Sequence, residues 1–477
     1  MKFIKKILKI IVIFISLLIT ILLIAFIIDK QSTNYLNIKN KQSNTSNSYV
    51  ITNVNVVPMT QDTVLKNKTV FIKNGIIESI INTIKPESDN IINGEGMYLL
   101  PGLIDMHVHV WDKQELGLYL SNGVTTIRNV WGMPFHLKLK KEIENNKIIS
   151  PQFFTTGPKL TGPEFIGDDN LQIFSPDEGK EKVKLYKKQG YDFLKTYYGL
   201  PKDIFDAIID QAKTSNMDIV AHPSQKVPYS YHFNSQISSI EHAEDIVQQP
   251  LNYKLDSIKL KEVIHEFKKS PQTSFCPTLT VYHNILNMLK NEQILSSEKV
   301  KFMNPVIKMI DSKNEFNRWD STKKIDSAIV NNINAQHNFH LYIINKLNEA
   351  NVNIIAGTDS GIGITAPGFS IHEELNFYKK AGLSNFEVLK TATVNPSKSH
   401  KIMHNIGTIE SGKIANLILL KNNPLTDLNT LKDPEIVFIK GKKLKRNLLK
   451  TFKKKAYNRH NYILTLYNYV ENMISTK

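Results

Sequence analysis

The feature that most restricts the fold is a rhythm in the middle of the chain. Short apolar runs recur there: "GLIDMHV" at 102–108, "VTTIRNV" at 124–130, "QFFTTG" at 152–157, "YDFLKTY" at 191–197, "MDIVAH" at 217–222, "ISSIEH" at 237–242, "TSFCPTL" at 273–279 and "VNIIAGTD" at 352–359. Runs of this length read as strands buried on both faces. Most are parted by helix-length segments, and that alternation predicts parallel strands closing into an α/β fold, a (β/α)8 TIM barrel. The long gap from 280 to 351 reads as helices inserted over the barrel mouth. After the last run, "SNFEVLKTATVNPSK" places Ser384 and Glu387 in capping-box spacing, which predicts a closing helix that stops before Pro396.

The flanks have a different texture. Tyr49 to Ile92 reads as short strands with turns, including "TVFIKNGIIESI", where Asn74-Gly75 supplies a hairpin turn. Similar strands return in "GTIESGKIANLILLKNN" and "IVFIKGKKL", so we expect 49–100 and 401–447 to join as one small β-sandwich domain beside a barrel spanning 101–400. A chain of 477 residues is long enough for both. Residues 31–48, rich in Ser, Asn and Thr, read as a flexible stalk, and 448–477 as a basic C-terminal extension.

The first thirty residues carry a targeting signal. Lys2, Lys5, Lys6 and Lys9 precede an apolar run from Ile10 to Ile28, closed by Asp29 and Lys30. About twenty apolar residues at 1.5 Å rise cross a bilayer's hydrocarbon core. A cleaved signal peptide competes with an uncleaved transmembrane anchor. The run is longer than a usual signal core and lacks a small-x-small cleavage site, so the anchor is the reading adopted. The lysines then set a single pass with the N-terminus in the cytoplasm and the rest of the chain outside it. Residues 1–30 and 440–477 together hold +14 of the formal charge of +16. The main body is therefore nearly neutral, which excludes a nucleic-acid partner. The basic tail reads as a solvated extension with a short terminal helix, with anionic headgroups as the alternative partner. Cys276 is the sole cysteine, which rules out an intrachain disulfide and a cysteine-based metal site.

Ligand-type residues fall at the ends of the candidate strands. His107 and His109 close the first, two apart and so on one side of a strand. Two imidazoles facing one way repel when charged unless a metal or another partner holds them neutral. His222 ends the fifth strand, His242 the sixth and Asp359 the eighth. Barrel enzymes carry their chemistry at those C-terminal ends. Taken singly, His222 and His242 read as hydrogen-bonded structural histidines and Asp359 as a helix cap or Asx turn; taken together, the five read as a metal site. Lys195 ends the fourth strand in an apolar stretch, where an ammonium is costly. Carbon dioxide adding to its amine would give a carbamate whose two oxygens can bridge two metals; a snorkelling or substrate-binding lysine is the alternative.

"PGLIDMHVH", "GVTTIRN", Lys195, the "AH" at 221–222, "IEHAED", "AGTDSG" and "GTIESGKIANLILLKNNPL", in that order, resemble the amidohydrolase superfamily, and within it the imidazolonepropionase-like and prolidase-like metal-dependent hydrolases. The resemblance covers about 49–445. It implies that His107, His109 and Asp359 hold one divalent metal and His222 and His242 a second, with carboxylated Lys195 bridging; zinc best suits such ligands. It also implies a metal-bridging hydroxide that attacks an amide carbonyl, with Asp359 as the catalytic proton carrier. The expected activity is thus binuclear hydrolysis of a C–N bond in a dipeptide or cyclic amide, esters not excluded. Two alternatives remain, a catalytically silent barrel that binds a ligand or a surface, and a mononuclear cyclic-amide hydrolase or lactonase. Where deaminases of the superfamily resemble His-x-x-Glu, this chain has "HPSQ", ending in Gln225, which argues against deamination. Candidate substrate-binding residues are Tyr229, Tyr231 and Arg128, with packing aromatics and a barrel-wall salt bridge as the competing readings. A homo-oligomer is allowed but not indicated.

Overall fold

The computed structural model describes residues 2–38, 47–82, 90–165 and 170–476. Five strands come first: β1 (Tyr49–Val56), β2 (Leu65–Lys73), β3 (Ile76–Asn82), β4 (Ile91–Asn93) and β5 (Tyr98–Pro101). Three more, β14 (Leu417–Leu420), β15 (Ile436–Ile439) and β16 (Lys442–Lys445), come from the far end and extend the same sheet in the order β16-β15-β14-β5-β1-β2-β3, with β4 also paired to β1. The expected sandwich is thus, by hydrogen bonding, one continuous eight-stranded sheet. Its core mixes both chain ends, with Ile51, Val54 and Val70 packed among Leu417, Leu419 and Phe438. Asn74 and Gly75 turn the β2–β3 hairpin with φ of +51° and +80°, the pair of positive angles that a two-residue primed turn requires.

Seven parallel strands form the second sheet: β6 (Leu103–Val108), β7 (Val124–Asn129), β8 (Gln152–Thr161), β10 (Phe193–Thr196), β11 (Ile219–Ala221), β12 (Ile237–Glu241) and β13 (Ser274–Cys276), with short β9 (Asn170–Gln172) alongside β8. Residues 353–360 occupy the gap between β13 and β6 without forming a regular strand. They bridge Phe275 through Ile354 and Val108 through Ser360, both in parallel sense. The Met106 amide donates to the Ala356 carbonyl, and the amides of Thr358 and Asp359 both donate to the His107 carbonyl. That doubled acceptor, with Asp359 at φ +56°, breaks the ladder where a ligand-type side chain must turn inward.

Helices Leu279–Lys290, Lys313–Ile325 and Ile329–Glu349 fill the 280–351 insertion. Ser384 and Glu387 form the expected capping box, each side chain accepting from the other's amide. The helix they open stops at Thr391, and Pro396 lies within a separate short helix, Val394–Ser399, at a position early enough that the missing N–H breaks no ladder.

Both chain ends are docked. The N-terminal helix Lys2–Ser32 leads within four residues to Leu36, which is buried in the barrel's outer core. Leu36 packs beside Phe452 over Gly117, where a Cβ would lie 3.1 Å from the Phe452 ring base. The Ile38 and Ile149 amides bind the Lys147 and Leu36 carbonyls. Of the stretch read as a stalk, 39–46 lie outside the described residues. The tail is not solvated along its length: helix Arg446–Ala456 buries Leu449 and Phe452, and Arg459 is buried between Asp112 and Glu115.

Candidate metal centre

β6 alternates Asp105, His107 and, one step past its end, His109 toward the barrel axis. Asp105 is buried and accepts from the Thr358 amide (3.1 Å) and hydroxyl (2.8 Å), which fixes the loop carrying Asp359 against β6. Asp359 Oδ1 lies 2.7 Å from His109 Nε2 and 3.3 Å from His107 Nε2. His242, with φ +69° just beyond β12, turns into the same space; its ring centroid is 4.8 Å from that of His107 and 4.5 Å from that of His222. One ligand atom each from His107, His242 and Asp359 falls within a 4.8 Å group. Lys195, on β10, projects into this cavity with its Nζ buried and without a hydrogen-bond partner. The five strand-end residues and Lys195 thus line one cavity of about 340 Å³.

The protonation states suit cation binding. Burial pulls the His109 imidazole down to about 4 against the opposing pull of Asp359, and pushes His222 and His242 well below the ordinary range, with neighbouring Lys195 and imidazoles adding. Neutral imidazole is the ligating form. Burial would raise Asp359, but His107 and His109 hold it well below the usual carboxylate range. Both His222 nitrogens are buried without an aligned hydrogen bond, although Nε2 sits 3.1 Å from Asp245. An orphaned amine, an orphaned imidazole and an ionised carboxylate converging in one cavity fit one or two divalent ions better than they fit any hydrogen-bonded arrangement of their own.

A layer beneath orients the ligands. His107 Nδ1 donates to Glu241 at 2.5 Å, leaving Nε2 for the cavity. Burial would raise the Glu241 carboxyl, but Arg128 and then His107 hold it well below its usual range. Arg128 is fully buried and donates to Glu241 (2.9 Å), Ser239 (3.0 Å), the Met106 carbonyl (2.6 Å) and His400 Nε2 (2.9 Å), while His400 Nδ1 donates to Asp218 (2.8 Å). Arg128 therefore lies under the His/Asp cluster and does not line its cavity, because a carboxylate inside the barrel binds its guanidinium. Tyr229 and Tyr231 are also away from this cavity. Tyr231 donates to Asp206, and Tyr229 packs beside His232 and Phe233, where the loop after β11 folds outward. Sequence reasoning passed over Glu241, which sits next to His242, and Lys159, which β8 places opposite Lys195 in the parallel register. Lys159 Nζ stands 5.2 Å from the Trp131 ring centre and 4.8 Å from that of Tyr197. Asn284, Glu244, Asp311 and the Arg318–Glu315 ion pair (2.5 Å) also line the cavity, so its rim carries both signs of charge.

Residues 303–444 match the family model described as "Amidohydrolase family". The chain is amidohydrolase-like. No curated protein sequence matches it. Among solved structures it is similar to the bottromycin amidohydrolase AH (19% identity, covering 90% of this chain and 95% of that one, TM-score 0.71). It is also similar to a Xaa-Pro dipeptidase with methionine bound in the active site (20%, 83% and 100%, TM-score 0.65) and to a prolidase complexed with N-methylphosphonate-L-proline (18%, 84% and 100%, TM-score 0.60). At these identities the likeness is one of fold, and it extends over the barrel and the sheet together.

Proposed function

We propose that this amidohydrolase-like chain is a binuclear metal-dependent hydrolase of C–N amide bonds. The observation that carries the reading is the partnerless buried Lys195 amine set among four imidazoles and Asp359 at the mouth of a parallel barrel. His107, His109 and Asp359 would hold one ion and His222 and His242 the other, with Lys195, as its carbamate, available to both. Zinc suits these ligands best. Bound there, the ions supply Lewis acidity toward a carbonyl and make water acidic enough to ionise near neutral pH. Asp359, ionised and hydrogen-bonded to His109, takes the proton of the attacking water and delivers it to the leaving nitrogen. Glu241 holds the His107 ring and Arg128 holds Glu241. Lys159 puts a cation on the cavity wall beside the Trp131 and Tyr197 rings, which suits a substrate with a free carboxylate such as a dipeptide, while Arg318 is paired with Glu315; cyclic amides remain the second class.

We assign the barrel to 101–400 and the companion sheet to 49–100 with 401–447. We read the N-terminal helix Lys2–Ser32, long and apolar enough to cross a membrane, as a single-pass anchor that leaves the body outside the cytoplasm. Metal analysis joined to a screen of dipeptides, cyclic amides and lactones tests the activity. About two ions per chain with amide turnover supports the proposal, one ion with turnover supports a mononuclear hydrolase, and no ion with no turnover supports a silent barrel.

A further inference from the structure

The C-terminal helix Tyr462–Thr476 is built inside out. Its polar residues Thr465, Asn468 and Asn472 are buried, as is Asn461 just before it, while Tyr462, Leu466, Tyr467, Val470 and Ile474 are exposed. Tyr462, Leu466, Val470 and Ile474 recur every four residues with Tyr467 beside them, so they form one continuous stripe. A helix packed on a protein in water turns its apolar stripe inward, and this one does the reverse. The buried side is held against the body: Asn304 Nδ2 donates to the Thr465 hydroxyl at 2.9 Å, and Tyr469 packs on Trp111 and Trp131 with ring centres 6.4 and 6.3 Å away. The orientation is thus fixed from within.

What lies outside is given by the N-terminal helix. Ile19, Leu22 and Phe26 of that helix and Ile463, Leu464 and Tyr467 of the C-terminal one line a shared apolar cleft. Beyond the cleft, the N-terminal helix exposes nearly every large apolar side chain from Phe3 to Ile28. Only three residues separate its end at Ser32 from Leu36 in the barrel's core, so the helix is held close to the body. Counting back from Ile28 at 1.5 Å per residue, Phe26 lies roughly 3 Å and Ile19 roughly 14 Å within the apolar run. The C-terminal helix therefore meets the outer half of the segment that would fill a bilayer's hydrocarbon core. Lys450, Lys454 and Lys455 are exposed on the preceding helix, where anionic headgroups would meet them.

We propose that the C-terminal helix Tyr462–Thr476 is a second lipid-facing element, lying with its Leu466–Val470–Ile474 stripe in the leaflet next to the body and flanking the N-terminal helix. The body is then seated on the bilayer by two helices rather than tethered by one. This does not rest on the catalytic reading. The test uses the full-length chain in nanodiscs of phosphatidylcholine and phosphatidylglycerol, spin-labelled at Leu466→Cys, Val470→Cys or, as a control on an exposed body helix, Lys188→Cys; the native Cys276 is buried and stays unlabelled. The expected result is a label at 466 and 470 that collides several-fold more with dissolved oxygen than with a water-soluble nickel chelate, while the label at 188 does the opposite. A nickel preference at 466 and 470 overturns the proposal, and so does exclusion of both reagents, which would mean that a second protein copy covers the stripe. Variants whose metal content and near-ultraviolet dichroism match the parent are the ones compared, and replacing exposed side chains preserves the fold.

Discussion

Lys195 admits a quantitative test. Burial, with smaller help from Arg128 and Lys159 and against Glu241 and Asp359, pulls its amine from 10.5 to about 8. At pH 7 an amine titrating at about 8 is ~9% neutral, against ~0.03% for an ordinary lysine, roughly a 300-fold gain in nucleophile. Carbamate formation joins the neutral amine nitrogen to the carbon of carbon dioxide and releases one proton. Because a lowered lysine pKa moves the neutral form's window down, the initial rate at fixed dissolved carbon dioxide rises about ninefold from pH 6 to 7, about fivefold from 7 to 8 and then flattens. A surface lysine keeps climbing through that range. The assay is carbon-13 NMR of the full-length metal-free protein under labelled carbon dioxide, read as the difference between the parent and Lys195→Arg. No difference signal would refute the reasoning, and so would a rate that still climbs steeply above pH 9, because either would mean that the amine is not held in the environment from which the bridging role is argued.

Other tests probe the layers around that amine. Glu241→Gln keeps an acceptor for His107 but loses the charge, so metal affinity measured against a competing chelator should drop about 10- to 100-fold; an unchanged affinity would remove Glu241 from the site's support. Lys159→Met should raise KM about tenfold or more for a carboxylate-bearing dipeptide while sparing an uncharged lactone, as the loss of one charge-assisted contact implies. Equal effects on both substrates would make Lys159 a packing residue. Tyr231→Phe should leave kcat/KM within about twofold, since its hydroxyl engages Asp206 away from the cavity. Arg459→Leu strands Asp112 and Glu115 and should cost about 3–5 kcal/mol of stability. Glu115 is already raised to about 8, by burial first and then Asp112, against the pull of Arg459. The folded state thus keeps a proton that the unfolded state releases near 4.5, stability falls as pH rises through that window, and the deficit in Tm should be larger at pH 9 than at pH 5.

What the sequence made legible follows from local periodicity, and what it hid follows from contacts across the chain. Seven of the eight apolar runs became paired strands because buried strands write themselves as short apolar segments whatever their neighbours. The eighth, 353–360, kept its place but lost its ladder, since Asp359 can aim at His109 only by taking a positive φ that no strand allows. His107 and His109 were readable as a pair by the two-residue period. Glu241 was not, because its neighbour His242 points into the same site only by virtue of φ +69° past the strand end, which alternation cannot foresee. Arg128 was read toward the mouth because it ends a strand, with a barrel-wall salt bridge as the competing reading, and the distant Glu241, 113 residues on, decides for the salt bridge. The terminal helix repeats the lesson at the surface. Its existence was legible, but which face turns inward is set by Asn304 and the Trp111–Trp131 pair, far away in sequence. Trp131 in turn stands against His109, with ring centres 6.4 Å apart. The packing that turns the apolar stripe of Tyr462–Thr476 outward therefore runs on to His109 of the candidate metal site, so a change that loosens Tyr469 from this aromatic cluster should disturb the outer surface and the site together.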